Sequence, residues 1–222
     1  MKITSIVLHY NRQQNIREVV SGIKDQTVQS DILVWDNSNN CPNIEGVTAI
    51  HSQRNFNCQP RFWLAAMCDT EYIWTQDDDF KIIKKDLFER MIALSKENPD
   101  CMLGVKGKVF GEWSNKEKPY QHNSGWLDAG KCDMVNTGLC FFPTKLLNKI
   151  PMHPYSAGTS AVTKHEYRYG DDIWVSTFQD CLAYDYLKED IGKLPEGEER
   201  HILSKQTAHM DVRNDLCRRY FL

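Results

Sequence analysis

The chain has 222 residues and a formal net charge of −3, from 27 Lys and Arg against 30 Asp and Glu. This charge balance argues against a protein that binds nucleic acid mainly through electrostatics. Apolar runs such as residues 62–68 are far shorter than the roughly 20 residues of a membrane-spanning helix, so no membrane span is predicted. The length suits one large α/β domain.

The cysteines and the first residues bear on the compartment. None of the eight cysteines forms a Cys-x-x-Cys pair, and no two Cys or His have the paired spacing of a zinc site. Residues 1–8 enter a strand-like run without the layout of a secretory signal. The cysteines are therefore predicted to be reduced thiols, and the protein is predicted to be cytoplasmic, in a cell or in a virus-infected host cell.

The first half of the chain alternates strand-like and helix-like patterns. Strands are predicted at 3–10, 31–35, 47–51 and 71–76, with helices after a capping box at Asn15 to Glu18 and from Pro60. This order is typical of an open, mostly parallel sheet with flanking helices. Ligands of such sheets bind outside the carboxyl ends of the strands. Three polar clusters follow such ends and are predicted to converge on one crevice: residues 9–12, 36–38 and 77–79.

The second half is less regular. A strand is predicted at 102–110, a long loop at 111–128, a strand with an irregularity at Gly138 over 133–143, a loop at 155–168 and a helix after Gly170. The chain is therefore predicted to be a single domain. Its parts are residues 1–100, residues 101–195 and a charged C-terminal tail at 196–222.

Three adjacent acids, Asp77, Asp78 and Asp79, close the fourth predicted strand. Carboxylates at a strand end are hard oxygen ligands, of the kind that Mg²⁺ or Mn²⁺ binds together with a diphosphate. Because strand side chains alternate, Asp77 and Asp79 are predicted to share one side while Asp78 faces away. The alternative is an acidic turn that is solvated or caps the next helix. That helix has its own predicted capping box at Asp86 and Glu89, which argues against the capping role.

Five motifs, taken in order, resemble the nucleotide-sugar glycosyltransferases of the GT-A fold, most closely the layout of their family 2. They are Tyr10-Asn11-Arg12, Asp36-Asn37-Ser38, the segment 55–61 that ends in Arg61, Asp77-Asp78-Asp79 as an Asp-x-Asp motif, and Gly170-Asp171-Asp172. The resemblance covers roughly residues 3–185 and departs from the family where Asn57 replaces a Gly. The short length is also similar to that of the compact glycosyltransferases of large algal viruses.

The resemblance implies a Rossmann-like α/β fold, with a mixed, mostly parallel sheet flanked by helices. It makes 1–100 the nucleotide-binding half and 101–195 the acceptor-binding half. It also implies transfer of a sugar from a UDP-sugar donor to a glycan, a glycoprotein or another hydroxyl acceptor. A divalent cation, Mn²⁺ or Mg²⁺, would stabilise the leaving diphosphate as a Lewis acid. In that family Asp79 would ligate the cation, and Asp77 would bind the cation or the ribose.

The same resemblance assigns nucleotide-sugar binding to residues around these acids. Asp36 and Asn37 would hydrogen-bond the base, Tyr10 would pack against it, and Arg12 and Arg61 would pair with phosphate or acid groups. Asn11 and Asp78 belong to the same two motifs. His9 has two interpretations, as a residue that lines the base pocket or as a histidine of the core.

The resemblance further implies an inverting reaction, in which a carboxylate takes the proton of the acceptor hydroxyl. Asp172 is the first candidate for this base and Asp171 the second. The alternative for Asp171 is that it caps the helix that follows. His209 is a candidate third metal ligand from the C-terminal segment, with His201 a weaker one, and the alternative for either is a surface histidine.

Two other functions fit parts of the pattern. A sugar-phosphate nucleotidyltransferase has a similar sheet and a metal-bound Asp, but it needs a Gly-rich loop after its first strand, and here no Gly precedes Gly22. A degenerate domain that only binds a glycan or a protein partner is the second alternative, against which the complete set of acids argues. The sequence therefore predicts a metal-dependent, inverting glycosyltransferase.

Overall fold

The computed structural model describes residues 1–110, 120, 126, 127, 129–150, 171–195 and 209–221. The strands are β1 (Ile3–His9), β2 (Ser30–Asp36), β3 (Val47–His51), β4 (Tyr72–Asp77), β5 (Phe80–Ile82), β6 (Cys101–Gly104), β7 (Gly107–Lys108), β8 (Trp126–Leu127), β9 (Ala129–Cys132), β10 (Met134–Val135), β11 (Leu139–Pro143), β12 (Asp180–Tyr184) and β13 (Ile191–Lys193). The α-helices are α1 (Gln13–Lys24), α2 (Pro60–Ala66), α3 (Leu87–Glu97), α4 (Asp171–Ser176) and α5 (His209–Phe221). Two 3-10 helices span Thr144–Lys149 and Asp185–Asp190.

Eight strands form one central sheet in the order β3-β2-β1-β4-β11-β6-β12-β9. The four strands β3, β2, β1 and β4 run parallel, whereas β11 is antiparallel to both of its neighbours. Strands from both halves of the chain therefore belong to one sheet, and the predicted mixed α/β fold is confirmed. Small sheets β10-β7-β8 and β13-β5 lie beside it.

Helices cover both faces of the sheet. Neighbouring residues of a strand point to opposite faces, so one strand contributes to both cores. On β4, Trp74 packs into the core that holds α1 and α3, while Ile73 packs into the core that holds α2 and α4. Helix α1 contributes four buried side chains at helical spacing, Ile16, Val19, Val20 and Ile23. Burial of one such side chain stabilises the fold by about 1.5–3 kcal/mol. A third cluster, built on Phe110 and Leu216, anchors α5.

The predicted cap at Asn15 is wrong, whereas Asp86 occupies the predicted N-cap position of α3 without a side-chain capping bond. Helix α1 begins two residues before Asn15, whose amide instead donates to the carbonyls of Asp78 (2.9 Å) and Pro195 (2.7 Å). Asp86 precedes α3 but makes no capping hydrogen bond, and it pairs with Arg90 at 3.4 Å. In both cases a longer-range or ionic partner replaces the local backbone partner that the pattern predicts. Pro60 does occupy the first position of α2.

The parallel order places the ends of β1, β2 and β4 side by side, as predicted. His9 pairs with Asp36 across β1 and β2, and Leu8 pairs with Asp77 across β1 and β4. The three polar clusters therefore lie at one edge of the sheet. The predicted loop at 155–168 and residues 196–208 of the tail lie outside the described residues.

No helix in the described part of the chain is long and apolar enough to cross a membrane. All eight cysteines, which do lie in that part, are free thiols.

Gly22 allows α1 to lie close to β5, because it has no Cβ atom. A Cβ atom at this position would lie 2.5 Å from the Ile82 carbonyl oxygen, a backbone atom that cannot rotate away. We expect Gly22→Ala to lower the free energy of unfolding by about 1–3 kcal/mol, although alanine is the better helix former. Urea denaturation measures the difference. Ser21→Ala, at the neighbouring exposed position, is the control and should leave stability within about 0.5 kcal/mol.

Candidate functional site

Asp78 organises the segment that follows β1. Its buried carboxylate accepts hydrogen bonds from the Tyr10 backbone N–H (2.8 Å) and the Arg12 guanidinium, and it lies 3.2 Å from His9 Nδ1. The His9 ring is fully buried, and its Nε2 lies 3.1 Å from Asn40 Oδ1. Strand β4 ends at Asp77, so Asp78 and Asp79 lie in the turn that follows, and the predicted strand alternation of the three acids does not apply to them. Asp78 holds Tyr10 and Arg12, which belong to the first of the predicted nucleotide motifs. Of the two interpretations of His9, its burial favours a histidine of the core.

Asp36 is fully buried and holds the turn after β2. One oxygen accepts from the Ser38 backbone N–H (2.9 Å) and hydroxyl (2.8 Å), and the other accepts from the Cys41 N–H (2.7 Å) and lies 2.9 Å from His51 Nδ1. Burial alone would raise the pKa of Asp36, but the hydrogen bonds from Cys41 and Ser38 outweigh it and lower the pKa to about 2. Its oxygens are engaged by the chain itself, which differs from the predicted role in binding the base.

Asn37 is also used by the protein. Its Oδ1 accepts from the Trp35 indole N–H (3.1 Å) and the Phe56 backbone N–H (2.8 Å), and its Nδ2 donates to the Asn57 carbonyl (2.9 Å). Asn37 therefore fixes the loop that carries Asn57. Asn57 has a positive φ of 55°, in the left-handed region that Asn tolerates better than most residues. This explains how Asn replaces the Gly of the family pattern.

The residues between the two loops complete a polar network. Asn11 also has a positive φ of 58°, its backbone N–H donates to Ser38 Oγ (3.1 Å), and its side-chain oxygen accepts from Asn40 Nδ2 (2.9 Å). Ser38 Oγ also lies 2.7 Å from Asn40 Oδ1. Tyr10 and Arg12 are thereby presented at the carboxyl ends of β1 and β2, on a base that is fixed by hydrogen bonds.

Arg61 joins the acids of the two halves of the chain. This guanidinium is almost fully buried, with Nη2 2.7 Å from Asp77 Oδ1 and Nε 3.4 Å from Asp171 Oδ2. It also donates to the carbonyls of Cys58 (3.1 Å) and Thr137. Of its two predicted partners, phosphate or acid groups, the described structure provides the acids. The Asp77 side chain keeps 37% of its surface exposed.

One carboxylate oxygen of Asp79 differs from the buried carboxylate oxygens of the other acids in its lack of a hydrogen bond within the described residues. Its Oδ1 is buried and makes no hydrogen bond in the described part of the chain. Burial, and next the charge of Asp77, raise the pKa of Asp79 to about 7. A buried carboxylate oxygen without a hydrogen bond, close to a second carboxylate, is costly, and a divalent cation would relieve the cost. The donor set of two hard oxygens therefore fits Mn²⁺ or Mg²⁺, with the remaining ligands supplied by a diphosphate and water.

The late acid pair opens α4, and its two members have different partners. Asp171 accepts from Thr137 Oγ1 at 2.8 Å and faces Arg61, and burial raises its pKa. Asp172 is held by both terminal nitrogens of Arg213, at 2.9 and 2.8 Å, and its Oδ1 also accepts from the Ile173 N–H. Asp171 is thus nearer to Asp77, because the two share Arg61.

The surroundings of Asp172 are rich in cations. The Arg213 guanidinium and the Lys108 ammonium lie 4.1 and 3.8 Å from the centre of the Tyr120 ring. Burial, and next the charge of Arg213, lower the pKa of Lys108 to about 8. His209 begins α5 near these groups, and burial with the charge of Arg213 lowers its pKa to about 4.

The third metal ligand remains a prediction. Within the described ranges, no group of three or more His, Cys, Asp or Glu side chains could hold a metal ion, so His209 does not complete such a set with Asp77 and Asp79. His201, the weaker candidate, lies outside the described residues.

The sequence reasoning missed Arg213 and Thr137, which contact the two late acids, and Lys108, which lies over the Tyr120 ring. The apolar spacing of Val212 and Leu216 could have predicted α5, although not that its Arg213 reaches Asp172. The Gly138 irregularity did mark the turn that contains Thr137. Its contact with Asp171 joins residues far apart in the chain and has no local signal.

The sequence matches the Glycosyl transferase family 64 domain over residues 3–179. It is also similar to exostosin-2 of Mus musculus, with 23% identity over 201 residues that make up 85% of this chain and 25% of that protein. The chain thus spans about a quarter of the length of this curated relative.

Two solved structures share the fold at low identity. S. aureus TarS 1-349 in complex with UDP-GlcNAc has a TM-score of 0.52 and 15% identity, with 87% of this chain and 55% of that chain covered. The mannosyltransferase PcManGT from Pyrobaculum calidifontis, in complex with GDP-Man and Mn²⁺, has a TM-score of 0.53 and 13% identity, with 82% and 54% covered. The predicted GT-A fold is thereby confirmed.

Replacing Asp36 tests whether this carboxylate holds the loop after β2. We expect Asp36→Asn to lower the free energy of unfolding at pH 7 by about 1–3 kcal/mol, because an amide cannot accept all of these hydrogen bonds. The folded pKa lies below the unfolded value of about 3.9, so this stabilisation is present above pH 4 and is lost as the pH falls through about 2. The gap between parent and variant should therefore narrow in acid.

Urea denaturation at pH 7, 4 and 2.5 measures that gap. Asp31→Asn, an exposed acid on the same strand, is the matched control and should match the parent at each pH. A gap that stays constant from pH 7 to 2.5 would contradict the assignment.

Proposed function

Since the chain belongs to the Glycosyl transferase family 64, we propose that it transfers a sugar from a UDP-sugar, in a reaction that depends on a divalent cation, to a hydroxyl of a glycan or glycoprotein. The observation that carries this proposal is the unpaired, buried Asp79 oxygen beside Asp77 at the carboxyl end of β4. In parallel sheets this edge is where ligands bind. The UDP-GlcNAc complex of TarS, which shares the fold, favours UDP as the nucleotide.

Asp79 and Asp77 are the residues that would hold the cation, Mn²⁺ or Mg²⁺. Bound there, the cation supplies charge stabilisation to the diphosphate as it leaves the sugar. Arg61 pairs with Oδ1 of Asp77 at 2.7 Å, and 37% of the Asp77 side chain stays exposed. The Mn²⁺ in the PcManGT complex is consistent with this assignment.

The nucleotide would bind over the loops that follow β1 and β2. Asp78, Asp36 and Asn37 fix these loops, while Tyr10 would pack against the base and Arg12 lies beside the acids. The guanidinium of Arg12 pairs with Asp78, and its side chain keeps 14% of its surface exposed. We therefore divide the predicted nucleotide residues into those that hold the loops and those that contact the donor.

Asp171 is the carboxylate that we propose as the base for the acceptor hydroxyl. Both oxygens of Asp172 are bound by Arg213, and a bidentate guanidinium makes a carboxylate a poor proton acceptor. Burial raises the pKa of Asp171, which makes it a stronger base than an exposed Asp. Inversion, which the family 2 resemblance implies, would need this base on the side of the sugar opposite to the diphosphate.

Replacing Asp79 tests the cation site. Asp79→Asn should weaken the binding of UDP in the presence of Mn²⁺ at least tenfold, because it removes a charged oxygen ligand, while EDTA should abolish the difference between parent and variant. Isothermal titration calorimetry with UDP, and with GDP for comparison, measures the affinities of parent and variant in Mn²⁺ and in EDTA.

The matched control is Asp69→Asn, an exposed acid that precedes the same strand at its other end. It should bind UDP and Mn²⁺ like the parent. Equal affinity in the parent and in Asp79→Asn would remove the metal role from Asp79, and tighter binding of GDP than of UDP would change the donor.

The two late acids should differ in what their replacement changes. Asp171→Asn should lower kcat by about 10²-fold or more and leave UDP binding in place. Asp172→Asn should lower the free energy of unfolding by about 3–5 kcal/mol, because it leaves the buried Arg213 without its counter-charge. Arg213→Met in addition should restore most of that stability. UDP release from UDP-sugars and thermal melts are the measurements.

The configuration of the product tests inversion. Proton NMR of the first product shows whether the anomeric configuration of the donor is inverted. A product with the configuration of the donor would remove the base role from Asp171 and leave the transfer itself intact.

A further inference from the structure

A tight turn, Asn136 to Gly138, connects β10 to β11 and lies between the acids of the site. The Asn136 side chain accepts from the Gly138 N–H at 2.8 Å, which closes the turn locally. The Asn136 N–H donates to the Lys106 carbonyl (2.9 Å), and the Leu139 N–H donates to the Asn136 carbonyl (3.1 Å). These hydrogen bonds fix the turn independently of its contacts with the acids of the site.

The backbone of Thr137 is anchored from two directions. Its carbonyl accepts from the Arg61 guanidinium and from Thr75 Oγ1 at 2.6 Å. Thr137 is only 3% exposed, so its side chain has little freedom to move. Its hydroxyl points to Asp171 and donates to Oδ2 at 2.8 Å.

The next residue touches the acid on the other side. The Gly138 carbonyl accepts from the Asp77 N–H at 3.0 Å. A Cβ atom on Gly138 would overlap the Asp77 carboxylate, with its Cγ 2.8 Å away. One rigid turn thus contacts Asp77 through Gly138 and Asp171 through Thr137.

We propose that Thr137 is a positioning residue, whose hydroxyl fixes the orientation of the Asp171 carboxylate relative to Asp77 for the transfer step. Arg61 alone cannot set this orientation, because its Nε lies 3.4 Å from Asp171 Oδ2, whereas the Thr137 hydroxyl makes the shorter contact to the same oxygen. Misplacing a reacting group by about 1 Å can cost on the order of 10²-fold in rate. This inference rests on the proposed function, since it gives Thr137 a role in the same reaction.

The test compares Thr137→Val, which keeps the shape but lacks the hydroxyl, with Thr137→Ser, which keeps the hydroxyl. Thr137→Val should lower kcat for UDP-sugar turnover at least tenfold, with KM and the Kd for UDP and Mn²⁺ changed less than twofold. Thr137→Ser should restore kcat to within threefold of the parent. Thr4→Val is the matched control, because Thr4 is also 3% exposed and its hydroxyl lies 2.9 Å from that of Thr70, away from the site. It should leave kcat unchanged.

Three results would overturn the proposal: a Thr137→Val enzyme as active as the parent, a loss that appears in KM instead of kcat, or Ser no better than Val. Thermal melts show whether each variant is folded, and Thr137→Ala replaces Thr137→Val if the latter does not fold. A parent chain without any turnover sinks the proposed function and this inference with it. An active parent matched by Thr137→Val sinks only the role of Thr137.

Discussion

The buried guanidinium of Arg61 is the interaction on which the site depends. An unpaired charge cannot remain in the interior of a protein, so a buried Arg requires carboxylates and carbonyls around it. Arg61 takes one carboxylate from the end of β4 and one from the start of α4, which the chain order separates widely. The burial of Arg61 therefore brings Asp77 and Asp171 close to one another. Loss of Arg61 would leave two acids with no cation between them.

A second buried pair, Arg213 with Asp172, repeats this arrangement on the adjacent residue. It attaches α5 to α4. As a result each of the two adjacent acids has a different guanidinium partner, Arg61 for Asp171 and Arg213 for Asp172. Lys108 adds a further positive charge within reach of Tyr120, and the lowered pKa of this lysine reflects its burial and the charge of Arg213. The two Arg pairs together make the late acids unequal, which is why their replacement should affect different properties.

The sequence predicted what depends on local pattern and missed what depends on long-range pairing. Strand β3 was predicted at its observed bounds, and the convergence of three strand ends followed from the strand-helix rhythm. The capping boxes at Asn15 and Asp86 failed, since a side chain that can cap a helix can equally bond a carbonyl or cation brought by the fold. The same competition turned Asn37 from a predicted ligand of the base into a holder of the loop that carries Asn57.

The three adjacent aspartates have identical side chains but different partners in the fold, and therefore different roles. Asp78 lies in the turn that follows β4, and its carboxylate contacts the loop after β1, where backbone and side-chain donors use its oxygens. Asp77, one residue earlier, is half-exposed and shares Arg61, so its charge is only partly neutralised by the protein. Asp79 has a buried oxygen for which the described chain supplies no donor, and its raised pKa expresses that cost. Replacing Asp78 should therefore disturb the loops, whereas replacing Asp79 should remove a ligand, although the two residues are neighbours of identical chemistry.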